Sequence, residues 1–428
     1  MFRYFVFKLY DLLNKKSITN HYKEIQYVIE HPNNKDVQQI KADNLQYLLN
    51  HAVETTPFYS NLKDKDFSQF PIIDKQLILE GKEKFMSNKF ERKELVKHTT
   101  SGSTGIPFIS LKDKNKIFRN YADTIYFSEL AEYNLGEPLV YVRLWVKKFM
   151  KSKLSFYLQN IIPHNILENS KGEIEAFLNK LKSIRVNKTI LVYPSYLEEM
   201  CRHLDENNEK SDFNIKSIIT SSEKLNDYER EKAKDYFNCE VYERYSNMEN
   251  GILAQTSKNL NTNYVINDAS YVVEFLNVAT NEPVSTGEVG KIVVTDLFNY
   301  AMPFVRYDTG DLGIYEIDEK GNKVLNKIYG RKMDAVYNTS GKIISPHIFY
   351  KISHFAKIKQ YQFIQLETKK YQFKLNGKPE DADEDAIKNH FLDFLGNDAE
   401  LSFEYVDDII VLKSGKRKKV VNQMLVQQ

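Results

Sequence analysis

Residues 98–107 read HTTSGSTGIP, a run of Thr, Ser and Gly closed by Pro107 that can add little to an apolar core. Two readings fit such a run: a flexible linker, or a loop whose N–H and hydroxyl groups converge on an anion. The extended lead-in at LVKH and a helix expected to begin near Asn115 favour the second. A Gly-rich turn between regular elements aims several backbone donors at phosphate oxygens. No Lys follows Gly105, so this is not the GxxxxGK[ST] loop of P-loop nucleotidases, and the positive charge must come from elsewhere. SGKRKKV at 414–420 offers Lys416 behind a Ser-Gly turn, although such a run also reads as a solvated basic tail. YDTGD at 307–311 brackets a Thr-Gly pair with two carboxylates. Asp311 could accept from both hydroxyls of a vicinal diol such as a ribose; the plainer reading is an Asp-Gly surface turn. Glu249, in YSNMENG, is either a loop carboxylate or a magnesium ligand.

These residues need elements to carry them. Residues 36–56 place Ile40, Leu45, Leu48, Leu49 and Val53 at helical spacing, and Pro57 ends the pattern. FPIIDK at 70–75 reads as a turn into a further helix capped by Asp74. TILVYPSYLEEM (189–200) reads as a buried strand, a Pro-Ser junction and a helix start. SIITSSEKL (217–225) and VYERYSNMENG (241–251) each read as a strand running into a loop, and YVVEFLNV (271–278) and GKIVVTDL (290–297) as strands with turn residues between them. Around Tyr329 to Asp334 the character changes to a Lys- and Asp-rich stretch. There YQFIQL, YQFKL and LSFEYV read as strands and DEDAIKNHFLDFL as a helix. The expected architecture is α/β, with a large mixed α/β domain of sheets and packed helices over 1–330 and a small mobile α+β domain over 331–428.

A chain of 428 residues with a formal charge of +2 has no single-sign field with which to recruit nucleic acid. Cys201 and Cys239 stand far apart, forming neither a disulfide framework nor a metal cluster of their own, and a reducing cytoplasm is the expected compartment. The opening MFRYFVFKLYDLLNKK is interrupted by Arg3, Lys8 and Asp11, so it lacks a signal-peptide core and is too short to span a bilayer. As a helix it sets Arg3, Lys8, Asp11 and Lys15 roughly on one side, with Phe2, Phe5, Leu9, Leu12 and Leu13 mostly elsewhere. One expectation is a helix docked on the body by its apolar stripe. The other is a peripheral contact of residues 2–13 with the inner face of a membrane.

Taken in order, TTSGSTGIP, SSEKL, YSNMEN, RYDTGDLG, YGRKMD and SGKRK make the chain resemble the adenylate-forming superfamily of acyl-CoA synthetases, luciferases and nonribosomal-peptide adenylation domains. LLNHAVETTPFYS, FPIIDKQLI, VYPSYL and GKIISPHIF are similar to signatures of its phenylacetate–coenzyme A ligase branch and the related capsular-polysaccharide proteins. The resemblance runs from about residue 40 to about residue 420.

It implies activation of a small carboxylic acid by ATP and Mg²⁺ as an acyl-adenylate, then acyl transfer, with coenzyme A as the expected acceptor. By this resemblance Thr100, Ser101, Gly102, Ser103, Thr104 and Gly105 hold the β- and γ-phosphates, and Tyr245 stacks on adenine. Ser222 and Glu223 line the adenine and acyl pocket, though Gly is more usual at Ser222. Glu249 binds Mg²⁺, Asp311 takes the ribose hydroxyls, Arg331 contacts the ribose from the hinge, and Lys416 reaches the substrate carboxylate and α-phosphate. The acyl pocket draws on Tyr141, Trp145, Tyr193 and Tyr196, with Arg143 either pairing a second carboxylate or lying on the surface. The family's small domain rotates between the two half-reactions, but the hinge position, usually Asp or Lys, is Met333 here. Cys and His clusters of the kind that hold a structural zinc in some relatives are missing, so no zinc is expected. Three alternatives stay open: transfer to an amine or hydroxyl of a surface-polysaccharide precursor, AMP transfer to a hydroxyl, and a non-catalytic nucleotide-binding protein.

Overall fold

The computed structural model describes residues 2–100, 108–145, 150–208, 211–258, 263–331, 335–344, 348–349, 352, 355–356, 358, 360–409 and 419–424. It divides into two compact units, one of Met1–Thr309 with Ile314–Lys327, the other of Gly310–Gly313 with Ile328–Gln428.

The larger unit opens with α1 (Phe2–Leu13), α2 (Ser17–Glu30) and α3 (Lys35–Thr55). In α3, Leu48, Leu49 and Ala52 face inward, and the helix stops before Pro57, whose fixed φ starts a 3-10 turn at Pro57–Leu62. Those side chains join Tyr59, Phe70, Ile73, Phe108 and Tyr307 in one core. Ile73 N donates to Arg306 O at 3.0 Å and Asp308 N to Ile73 O at 2.7 Å, which stitches FPIID to the start of YDTGD. Asp74 then caps α4 (Lys75–Glu80) by accepting from Leu77 N at 2.8 Å. β1 (Val96–Thr100) and β2 (Phe108–Lys112) pair antiparallel, with Thr100 opposite Phe108. Asp113 caps the following α5 (Lys114–Glu129) through Lys116 N at 3.0 Å.

Strands and helices then alternate: β3 (Leu139–Arg143), α6 (Lys153–Gln159), β4 (Ile161–Asn165), α7 (Lys171–Ser183), β5 (Lys188–Val192), α8 (Pro194–Glu206), β6 (Ile215–Ser221), α9 (Asp227–Phe237) and β7 (Glu240–Asn247). Helical crossovers return each strand parallel to its neighbour, and β4, β3, β5, β6 and β7 pair in parallel. β5, KTILV, is buried at every position, as a strand covered on both faces must be. Pro194 follows at the first position of α8, where its missing N–H costs nothing. The remaining strands are β8 (Gly251–Thr256), β9 (Tyr264–Ile266), β10 (Tyr271–Leu276), β11 (Val289–Asp296), β12 (Tyr307–Ile317) and β13 (Lys323–Arg331). They complete an eleven-stranded sheet in the order β10-β11-β12-β13-β9-β8-β7-β6-β5-β3-β4.

The smaller unit contains the short pair β14 (Val336–Tyr337) and β15 (Ile343–Ile344). It also holds β16 (Tyr361–Gln365), β17 (Lys370–Asn376), α10 (Glu384–Leu395), β18 (Glu400–Val406) and β19 (Val420–Asn422). The last four strands form one sheet in the order β18-β17-β16-β19. α10 buries Ile387, Phe391 and Leu395, one stripe at i, i+4 and i+8, against Phe363 and Phe373 of that sheet.

Candidate active site

Glu249 occupies the turn between β7 and β8. Gly251 opens β8 at φ +134°, and a Cβ there would stand 2.9 Å from both Asn120 Oδ1 and Tyr271 OH, so the turn requires glycine. Lys112, the last residue of β2, reaches under the turn, its Nζ donating to Met248 O at 3.0 Å and Asn250 O at 3.4 Å. Tyr271 OH donates to Asn250 O at 3.0 Å. Lys116 ion-pairs with Asp296 at 2.8 Å and donates to Tyr271 OH at 3.0 Å. The Glu249 carboxylate is buried, and its Oε1 lies 2.5 Å from Lys75 Nζ, an ionic contact without the angles of a directed hydrogen bond. Lys75 Nζ is also 5.5 Å from the centre of the Phe108 ring. The first residue of α4, the first residue of β2 and the β7–β8 turn therefore meet around the Lys75 ammonium. Burial, and then the Lys116 ammonium, lower the Lys112 pKa to about 7, with Asp296 and Glu249 pulling the other way.

A second cluster forms at the carboxyl ends of β3, β5 and β6, the edge at which open α/β sheets bind ligands. Tyr141 and Trp145 meet edge to face at 5.4 Å, Trp145 Nε1 donates to Tyr141 O at 3.2 Å, and the Arg143 guanidinium lies 5.4 Å from each ring. Tyr193, just past β5, is buried; burial raises its hydroxyl pKa, while Arg143 and a hydrogen bond with Ser222 oppose the shift. Ser222 stands at φ +72°, the left-handed region that favours glycine, so the backbone here has the shape that a Gly would adopt freely. Glu223 Oε2 accepts from Ser195 N at 3.0 Å and ties the loop after β6 to the start of α8. Tyr196 is not brought to this cluster. Its hydroxyl donates to Glu168 O at 2.9 Å and lies 2.6 Å from His164 Nε2, and its ring packs with Phe177 in the core. Tyr245, in β7, is buried with its hydroxyl 3.4 Å from Thr309 Oγ1.

In the smaller unit Asp311 faces Arg331, Oδ1 to Nε at 3.2 Å. The segment YDTGD is no surface turn: residues 307–317 form one strand, β12, and Asp311 is buried within it. Gly310 adopts φ +76°, and a Cβ there would stand 3.3 Å from Arg331 Nη1. Thr100 ends β1; Ser101, Gly102, Ser103, Thr104, Gly105, Met333 and Lys416 lie outside the described residues. Sequence reasoning passes over Lys75, Lys112 and Lys116. A signal exists for Lys112, which FISLKDK sets at the end of a strand-like apolar run; Lys116 follows four residues on. Lys75 has no local mark, since its partner is remote in sequence.

The family model for the CapK C-terminal domain matches residues 336–423. The phenylacetate-coenzyme A ligase of Escherichia coli (strain K12) is 23% identical over 297 residues, covering 65% of this chain and 67% of that protein. A 2-hydroxyisobutyryl-CoA ligase solved in the postadenylation state with 2-HIB-AMP superposes with a TM-score of 0.71 at 16% identity, over 91% of this chain and 92% of that one. The amide bond synthetase McbA from Marinactinospora thermotolerans superposes with a TM-score of 0.55 at 14% identity, over 77% of this chain and 68% of that one. The chain thus has the fold of these ligases and is similar in sequence to phenylacetate-coenzyme A ligase.

Proposed function

We propose that the chain is an ATP-dependent ligase that activates a carboxylic acid as its acyl-adenylate, releases pyrophosphate and passes the acyl group to coenzyme A. The observation that carries this reading is the Glu249 turn, a buried carboxylate facing Lys75 beside the strand that follows the hydroxyl- and glycine-rich loop. Thr100 to Gly105 are assigned to the β- and γ-phosphates, Tyr245 to adenine, Ser222 and Glu223 to the pocket wall, and Asp311 with Arg331 to the ribose. A single carboxylate suits Mg²⁺, which takes much of its shell from phosphate oxygens and water. Among the described residues no group of three or more His, Cys, Asp or Glu is placed to hold a metal. Bound at Glu249, the ion would offset charge on the phosphate oxygens.

In the first step an oxygen of the substrate carboxylate bonds to the α-phosphorus as the bond to the pyrophosphate oxygen breaks. No proton moves and no side-chain nucleophile is needed. The anions that converge there are the obstacle, and Lys416 is assigned to the charge that grows at the α-phosphate. Residues 331–428 act in this reading as a mobile lid pivoting near Met333. In the second step the acceptor attacks the acyl carbon and AMP leaves. The rings of Tyr141, Trp145 and Tyr193 favour an acid with a flat apolar body. Two free cysteines, Cys201 buried and Cys239 half-buried, suit a reducing cytoplasm.

A second reading keeps the adenylate but makes the acceptor an amine or hydroxyl of a surface-polysaccharide precursor. The CapK match and the likeness to an amide bond synthetase favour it. The test is carboxylate-dependent ATP–pyrophosphate exchange across aryl, fatty, amino and uronic acids, followed by product analysis with coenzyme A or an amine present. Exchange with one acid is expected, lost in Lys416→Ala while thioester formation from supplied acyl-AMP largely persists. Silence across the panel with ATP still bound would point to AMP transfer onto a hydroxyl or to a non-catalytic role.

A further inference from the structure

Helix α1 is built inside out. Its one acidic residue, Asp11, is the side chain that faces the body: the carboxylate is buried and accepts from Ile18 N at 2.9 Å and Thr19 N at 3.1 Å. Phe7 packs beside it against the cluster of Ile18, Ile25 and Phe118. The apolar stripe expected to dock the helix is turned away. Phe5, Leu9, Leu12 and Leu13 share one face by helical spacing and are 66%, 48%, 56% and 77% exposed. Helix α6 extends this surface, with the Arg3 guanidinium 4.9 Å from the Tyr157 ring and with Leu154 and Tyr157 both exposed. Asp11 thus ties α1 to the body by capping α2, while Phe5, Leu9, Leu12 and Leu13 stay in water.

The exposed charges that α1 and α6 themselves carry have one sign. Apart from the buried Asp11, every ionisable side chain of α1 is basic or a tyrosine, Lys15 and Lys16 follow it, Lys153 opens α6 and Lys151 precedes its cap. Behind it, Glu129 accepts from Tyr22; burial raises its pKa, and the Tyr22 hydrogen bond and the Lys8 ammonium oppose that shift. An apolar face with exposed tyrosines and a lysine and arginine border is the pattern of a helix lying in the interface of a bilayer. Basic residues at that depth are drawn to anionic lipid. Two copies of this chain joined through the same face would bring their cationic borders together. No helix among the described residues is long and apolar enough to cross a membrane.

We infer that α1, extended by α6, seats the enzyme on the surface of an anionic bilayer, with Phe5, Leu9, Leu12 and Leu13 entering the acyl boundary and Lys8, Lys15, Lys16 and Lys153 meeting lipid headgroups. The experiment is co-sedimentation of the full chain with vesicles of phosphatidylcholine alone or mixed with phosphatidylglycerol, at low and high salt. Wild type is expected to sediment with the mixed vesicles, less so at high salt, and to stay in solution with phosphatidylcholine alone. Phe5→Ser/Leu9→Ser/Leu12→Ser should bind at least about tenfold more weakly, since the face it removes supplies the apolar burial, while its pyrophosphate exchange is unchanged. Lys8→Glu/Lys153→Glu, which leaves the apolar face intact, should lose the salt dependence. Wild type remaining in the supernatant, or the apolar variant binding as well as wild type, overturns the inference. So does a dimer in light scattering that the apolar variant abolishes, because the face would then join two copies.

Discussion

Glu249 and Asp311 are both carboxylates beside a basic side chain, but they are held in different ways. The Glu249 side chain is 3% exposed, and its turn is fixed by Lys112, Tyr271 and the glycine at 251. Asp311 pairs with an Arg331 that is 47% exposed, at 3.2 Å, from within a strand. A buried carboxylate that loses its cation is stranded, whereas a pair whose cation stands about half in water is screened and worth less to the fold. The first arrangement should thus be felt in stability and chemistry together. The second can surrender its partner to a ligand at small cost.

The largest expected effect is at Glu249. On the proposed reading Glu249→Gln lowers pyrophosphate exchange by about a hundredfold or more and raises the Mg²⁺ needed for what remains. Exchange close to wild type would remove this residue from the metal site. Lys75→Ala tests the other half of the pair. Its removal should cost about 1 to 3 kcal/mol in urea unfolding, below the range for a fully buried pair because Lys75 is partly in water. The double variant should recover part of that loss; costs that simply add would show the two side chains to be uncoupled.

Asp311→Ala should behave in the opposite sense. ATP binding is expected to weaken by about tenfold, near 1.4 kcal/mol, while unfolding stability moves by no more than about 1 kcal/mol. Equilibrium nucleotide binding and urea unfolding on the same sample decide it. A loss in stability that exceeded the loss in affinity would erase the contrast between the two carboxylates.

What the sequence makes visible follows how local each cause is. The α3 stripe that ends before Pro57, the strand–Pro–helix junction at TILVYPSYLEEM and the Ile387–Phe391–Leu395 stripe of α10 are set by neighbours within a few residues, and the chain folds accordingly. The order of the eleven-stranded sheet is set by pairing between distant segments, which no local pattern records. The same limit applies to side chains. The departure from Gly at Ser222 can be read in the sequence, but its φ of +72° cannot, nor can the Lys75 contact that faces Glu249. YDTGD has the composition of a turn and is a strand, because pairing overrides the preference of Asp and Gly for turns. Helical spacing groups Phe5, Leu9, Leu12 and Leu13 on one face of α1 but does not say which way that face points. The hydrogen bonds from Ile18 and Thr19 to Asp11 decide it.

Lys112 gives the finest test of how rigidly the Glu249 turn is built. Its ammonium sits under Met248 and Asn250 with a pKa lowered to about 7, chiefly by burial. In the unfolded chain the same group titrates near 10.4. Below about pH 7 both states hold the proton, and the folded state bears the full cost of a buried charge. Between about 7 and 10.4 the unfolded state keeps a proton that the folded state has released, so stability rises with pH, by about 1.4 kcal/mol per unit at most. Lys112→Met removes the titrating group. Its stability at pH 7 also reflects the two lost hydrogen bonds, so the informative quantity is the slope. Urea unfolding from pH 7 to 9 should show wild type gaining on the variant at each step. Parallel curves would mean that Lys112 keeps its charge in the fold, and that water or an anion reaches the turn from beneath.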